Sequence, residues 1–170
     1  MNNEFKKKYI QNAIPLSSFT INSFLYDDYL SIQNPNITEK LQLQLNKYAN
    51  NSQNRMIIPL NPIGKIKDNF PKIESRVSDI IIRRTECYID SVQILIPQNL
   101  KLETLPADKN IQSVYGNYKT TIKIHANTIT YIRILNFNKG NYPKEKYTDF
   151  LTFINQVKQW DNANVVFLKQ

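Results

Sequence analysis

The stretch from Val114 to Gln170 constrains the fold more than any other part of the chain, because it reads as a β-hairpin followed at once by one helix. The first arm runs from Gly116 to His125, the turn falls at Ala126-Asn127, and the second arm runs from Thr128 to Phe137. In the first arm Tyr118, Ile122 and Ile124 share one parity and Lys119, Thr121 and Lys123 the other. Side chains alternate across a strand, so this arm has a buried and a wet face. The second arm is apolar at both parities through Ile129, Tyr131, Ile132, Ile134 and Leu135. That pattern predicts a central strand covered on both sides, with the following element as the second cover. Pro143 suits a helix start, where its missing N–H costs nothing. Tyr147, Phe150, Leu151, Ile154 and Val157 then recur at helical spacing, Trp160 closes the stripe and Asp161-Asn162 ends it. Asn164 to Leu168 reads as a last strand.

Upstream, the signals are mostly of short strands. Phe19 to Gln33 alternates, with Phe19, Ile21, Ser23 and Leu25 on one parity and a turn or bulge expected at Asp27-Asp28. Asn34-Pro35-Asn36 is a turn signal. Glu39 to Lys47 places Leu41, Leu43 and Leu45 on one face against Lys40, Gln42 and Gln44. Ala49 to Asn54 reads as a polar loop, Arg55 to Leu60 as a strand and Asn61 to Lys72 as a long connection. Further strands are expected at Asp79–Arg84, at Glu86–Ile96 with Val92, Ile94 and Ile96 on one face, around Leu100–Leu105, and from Ile111 into the hairpin. Many short strands between turn signals predict a mainly β fold, an antiparallel β-sandwich with one C-terminal α-helix. The expected organisation is a loosely ordered segment at 1–18 and a single sandwich domain at 19–170, with the helix at about 143–160.

Composition narrows the functional classes. The formal charge of +8 comes from scattered lysines, which raises affinity for any polyanion without specifying one. One cysteine excludes an intrachain disulfide. The N-terminus has positive charge but no apolar run behind it, so no export signal is expected on this chain. No segment approaches the ~20 apolar residues of a membrane span.

No spacing declares a chemistry. Cys87 and His125 are the chain's one cysteine and one histidine. A thiolate–imidazole pair is the one route to a cysteine-dependent hydrolase. The plainer expectation is a half-buried structural cysteine and a solvated turn histidine. No metal cluster, phosphate loop or cofactor motif is read. Gly116 is expected to be structural, at the mouth of the hairpin. Tyr115 and Tyr142 lie near turns, where half-exposed rings would serve as a ligand platform. Arg83-Arg84 and Arg133 are candidates for a basic patch, but arginines at strand ends more often pair with carboxylates such as Glu86 or Glu103. No nucleic-acid partner is expected.

One resemblance adds to this. It is carried in order by Arg83-Arg84 after an Ile-rich strand, Ile94-Leu95-Ile96-Pro97, Leu102-Glu103-Thr104-Leu105-Pro106 and Ser113-Val114-Tyr115-Gly116-Asn117-Tyr118. Tyr131-Ile132-Arg133, Tyr142-Pro143 before the aromatic helix, and Val165-Val166-Phe167-Leu168-Lys169 complete it. These features resemble the C-terminal β-rich domain, of unknown function, of bacterial transglutaminase-like proteins. The resemblance covers the last half of the chain; the region before Ser75 matches nothing sharply, and the catalytic core of such proteins is missing. It implies a non-catalytic accessory or interaction domain whose partner is a transglutaminase-like core or another protein. Parent proteins of this kind are exported. A stand-alone module for carbohydrate or a similar ligand is the alternative from another class.

Overall fold

The computed structural model describes residues 4, 8–10, 12, 19–29, 36–45 and 47–170, with backbone alone at 26–29, 36 and 37. The segment expected to be loosely ordered at 1–18 falls mostly outside the described residues, as does Asn34-Pro35. The chain divides into two compact units, Met1–Tyr48 and Ala49–Gln170.

In the first unit β1 (Phe19–Tyr29) and β2 (Asn36–Leu45) form an antiparallel hairpin. Its register shifts between Ile21 and Ser23, so the irregularity lies there and not at Asp27-Asp28, which pair regularly with Thr38 and Ile37. An extra residue reverses the parity of everything beyond it. Phe24 therefore replaces Leu25 in the row opposite Leu41, Leu43 and Leu45, and Leu25 is left 63% exposed.

The second unit begins with β3 (Asn50–Ser52) and β4 (Arg55–Pro59). Then come β5 (Ile80–Ile82), β6 (Glu86–Leu95), β7 (Leu100–Thr104), β8 (Lys109–Ser113), β9 (Gly116–His125), β10 (Thr128–Phe137) and β11 (Gly140–Tyr142). A 3-10 turn at Lys144–Lys146 leads into α1 (Tyr147–Asp161), and β12 (Asn164–Lys169) closes the chain. The fold is mainly β, with antiparallel sheets and one C-terminal helix. β3 falls inside the stretch read as a polar loop; all its residues are exposed, so its pairing with β4 leaves no hydrophobic pattern to read.

One sheet has the order β6-β10-β9-β8 and another β3-β4-β12-β7. Ile129 and Tyr131 of the first meet Val165 and Phe167 of the second, with Leu60 and Leu100, in one apolar cluster. Val92, Ile94 and Ile96 pack against it as their alternation predicts. A second cluster joins Ile111, Tyr118 and Leu135 to Phe150, Phe153, Ile154 and Val157 of α1. Ile129, Tyr131 and Leu135 share a parity of β10 and each is at most 2% exposed. The second sheet and α1 thus cover the two ends of the same face.

This corrects the expectation for the second arm. The helix does not cover the other side of β10, where Ile132 and Ile134 are only half-buried and Ile89, opposite Ile134, is 67% exposed.

Two tight points hold the hairpin. A Cβ on Gly116 would sit 1.9 Å from the Asn136 carbonyl oxygen, so only glycine lets the arms close there. Ala126 turns the chain at φ 49°, a conformation that L side chains disfavour. The α1 N-terminus has no side-chain cap, and its aromatic packing holds it instead. Phe150 meets Phe70 and Tyr115 edge-on at 5.4 and 5.3 Å and stacks on Tyr147 at 6.2 Å.

Candidate functional site

The alternation that buries Ile129, Tyr131 and Leu135 also carries Arg133 inside, where it is 1% exposed. A buried guanidinium demands carboxylate partners, since a lone charge there costs several kcal/mol, on the order of the fold's whole stability. Asp90 stands directly opposite on β6, and Arg133 Nη1 donates to its Oδ2 at 2.8 Å. Asp161 reaches in from the last turn of α1: Arg133 Nε donates to Oδ1 at 2.6 Å and Nη2 to Oδ2 at 3.0 Å. A carboxylate at a helix C-terminus faces the negative end of the helix dipole, so Asp161 needs this cation as much as the cation needs it.

Asp161 collects further donors. The Tyr118 hydroxyl donates to Oδ1 at 3.0 Å, Asn61 Nδ2 to Oδ1 at 3.2 Å and the Ile66 N–H to Oδ2 at 3.4 Å. Asn61 Oδ1 in turn accepts the Gly64 N–H at 2.8 Å, and Gly64 lies over Asp90, where a Cβ would come within 2.3 Å of Oδ2. The connection after β4 is therefore pinned to α1 by polar side chains and passes close over Asp90 of β6.

Electrostatics follow from this geometry. Burial opposes the Arg133 charge, but the hydrogen bonds and attraction of Asp161 and Asp90 outweigh it, and its pKa lies above the ordinary value. Burial, reinforced by the Asp161 carboxylate, pushes the Tyr118 phenol far up. Burial also raises Tyr131, whose hydroxyl lies beside Tyr118 without a hydrogen bond of ordinary geometry among the described residues. The charged groups of this centre are occupied with one another, and what they do chemically is clamp β6, β10, α1 and the connection together. Arg133 is therefore no part of a surface basic patch.

The accessible features lie beside this centre. A groove of about 670 Å³ runs along β5. Its apolar lining includes Phe70, Ile80, Ile82, Phe137 and Phe150, and Arg76, Arg83 and Arg84 also line it. An adjoining hollow of about 450 Å³ shares Phe70, Glu86 and Phe137, adds Lys65, Lys67 and Tyr88, and is lined by Arg133 as well. Arg84 Nε pairs with Glu86 Oε1 at 2.7 Å, and the Tyr88 hydroxyl donates to Glu86. Those bonds, the Tyr88 one foremost, hold the Glu86 carboxyl below its ordinary range. Arg55 and Glu103 likewise pair at 2.6 Å, so both carboxylates singled out in the sequence do hold arginines.

Cys87 and His125 are not brought together. Cys87 pairs with Asn136 and His125 with Thr128, at opposite ends of β10. The span from Thr128 to Asn136 is roughly 26 Å at the rise of an extended strand. Cys87 is exposed rather than half-buried, because its parity on β6 faces away from the core. Half-exposure holds for Tyr142 and not for Tyr115, which is 2% exposed. The Tyr115 ring meets Tyr142 at 4.8 Å and its hydroxyl donates to the Lys146 carbonyl at 2.8 Å, so it is packed under the helix entry. Among the described residues no group of three His, Cys, Asp or Glu is placed to hold a metal, and no helix is long and apolar enough to cross a membrane.

Sequence reasoning missed the centre at Asp161, although a signal was there. Asp161 continues the buried row of Phe150, Ile154 and Val157 at helical spacing, and Arg133 sits in the buried parity of its strand. A carboxylate and a guanidinium, each on an otherwise apolar face, are each other's natural partners.

Fold and centre together define a small antiparallel β body whose single C-terminal helix is bolted to its sheet through buried charge. Residues 54–167 match the model of the family described as "Domain of Unknown Function with solved-structure structure (DUF3858)". The chain belongs to that family, and the match lies within the second unit. No curated protein and no solved structure matches the chain.

Proposed function

We propose that this chain is a non-catalytic accessory and interaction domain that works beside a transglutaminase-like catalytic core. The observation that carries the reading is the disposition of reactive groups: the one thiol and the one imidazole stand at opposite ends of β10, and the most buried charges lock one another. What remains for a partner is surface, namely sheet edges and a groove. The ordered features that resemble the C-terminal domain of transglutaminase-like proteins support the choice of partner, since that domain lies beside such a core.

Co-expression of the chain with a transglutaminase-like core from the same genome tests this. A stoichiometric complex in size-exclusion chromatography with light scattering is expected. Separate elution at concentrations well above those in the cell, with core activity unchanged by the chain, overturns it. The alternative of a ligand platform rests on Tyr142 alone, whose one O–H is already shared between the Val114 and Asn138 carbonyls. A glycan array without hits removes it.

A further inference from the structure

The groove along β5 combines three features that single out one kind of occupant. The first is a free main-chain edge. β5 is hydrogen-bonded to β11 on one side and, among the described residues, to no strand on the other. An unpaired edge presents N–H and C=O groups that match another extended backbone.

The second feature is apolar. Ile80, Ile82, Phe137 and Phe150 contribute to the lining, while Ile81 on the same strand is 67% exposed.

The third is an excess of positive charge, three arginines against one glutamate. Arg83 has no ion pair among the described residues. Arg76 lies over the Tyr147 ring at 4.6 Å and donates to the Ser78 and Asp79 carbonyls, so its charge also lacks a carboxylate among the described residues. Arg84 pairs with Glu86, the one carboxylate in the lining, yet its side chain is 82% exposed. Guanidinium groups with free donors bind carboxylates in a fork geometry.

We propose that this groove takes an extended acidic peptide segment. Its backbone pairs with the open edge of β5, a large apolar side chain enters between Phe70 and Phe137, and alternate carboxylates meet Arg83 and Arg84. This rests on the interaction-domain reading and names the surface and the partner chemistry for it. A single-stranded nucleic acid fits less well. It stacks bases on exposed rings, whereas Phe150 and Tyr147 here are each 6% exposed and packed edge-on or stacked within the core.

The test is fluorescence anisotropy of the full chain with a short labelled peptide of alternating glutamate and leucine. Saturable binding is expected, weakened at least ~10-fold by Arg83→Glu and by exchange of glutamate for lysine in the peptide. A peptide of the same composition interrupted by proline, which removes main-chain donors, is expected to bind ~10-fold less tightly. The proposal is overturned if no saturable binding occurs, or if Arg83→Glu and the proline interruption leave binding unchanged. It is equally overturned if single-stranded oligodeoxythymidylate binds more tightly than the peptide in an Arg83-dependent way. Arg83 is exposed and makes no side-chain hydrogen bond or ion pair among the described residues, so its substitution is expected to leave the fold intact, which far-UV circular dichroism verifies. A transglutaminase-like core retained equally by wild type and Arg83→Glu, with no peptide bound, removes the groove and leaves the interaction domain standing. Peptide bound by an intact groove in a chain that ignores the core does the reverse.

Discussion

At the scale of single residues, backbone positions carry the sharpest consequences. Gly116→Ala drives a Cβ into the Asn136 carbonyl, and the two arms of the hairpin must separate at their mouth. A loss of about 3 kcal/mol in urea unfolding is expected, at the upper end for overpacking; a change below about 0.5 kcal/mol contradicts the close approach. Ala126→Gly acts in the opposite sense. It relieves a positive φ at a hairpin turn and is expected to stabilise the protein by about 0.5–1 kcal/mol. An unchanged urea midpoint in the same experiment counts against that turn geometry. The role of Gly116 was legible in the sequence, because a lone glycine opening an alternating run marks a place where two backbones come close. The strain at Ala126 was not, since alanine gives no outward sign of the conformation it is forced to adopt.

At the scale of elements, α1 is held by what it packs on. Its start has no side-chain cap, and Phe150 makes aromatic contacts with Phe70, Tyr115 and Tyr147. Phe150→Ala is expected to cost about 3–5 kcal/mol by calorimetry or urea unfolding. It is also expected to raise hydrogen exchange throughout 147–161 rather than only near the mutation; a local change alone contradicts the picture of a helix held by its sheet. The apolar stripe of this helix, the alternation of β6 and that of β9 as far as Ile122 could be read directly, because a period of 3.6 or 2 is a property of neighbouring residues; Ile124, expected on the buried face of β9, is 43% exposed because the strand has run past the core by then. The face that the helix covers could not. Both parities of β10 are apolar, and only the full course of β12 and α1 reveals that they share one side of the sheet. The bulge in β1 hid for a related reason: one inserted residue reverses a row without altering its composition.

At the scale of the whole molecule, charge sets the pH window of stability. Glu86 and Glu103 have depressed values in the fold, so their contribution is present above the ordinary glutamate value of about 4.3 and is lost as pH falls through the lower folded values. Both pairs are exposed enough to be screened, and this acid limb is expected to be shallow and to flatten with salt. The alkaline limb is steeper. Tyr118 and Tyr131 have raised values, so their contribution is complete below the unfolded value of about 10 and disappears as pH rises through the folded ones. Phenolate absorbance followed with circular dichroism is expected to show exposed tyrosines ionising first, with a final group released only on unfolding. A single step near pH ~10 for all 10 tyrosines with the fold intact contradicts this.

The same scale decides between architecture and chemistry for the buried charges, which are the point on which the functional reading turns. A double-mutant cycle in urea with Arg133→Met, Asp161→Leu and the pair together tests it directly. Arg133→Met leaves the Asp161 carboxylate, 1% exposed, without its cation, and Asp161→Leu leaves Arg133 with Asp90 alone and the Tyr118, Asn61 and Ile66 donors without their acceptor; each is expected to cost about 3–5 kcal/mol, and the pair together clearly less than the sum of the two. Peptide binding at the β5 groove is expected to survive in the double variant. Singles that cost less than about 1 kcal/mol, in a protein that keeps its fold but loses its partner, would make Arg133 and Asp161 a working site instead of a clamp.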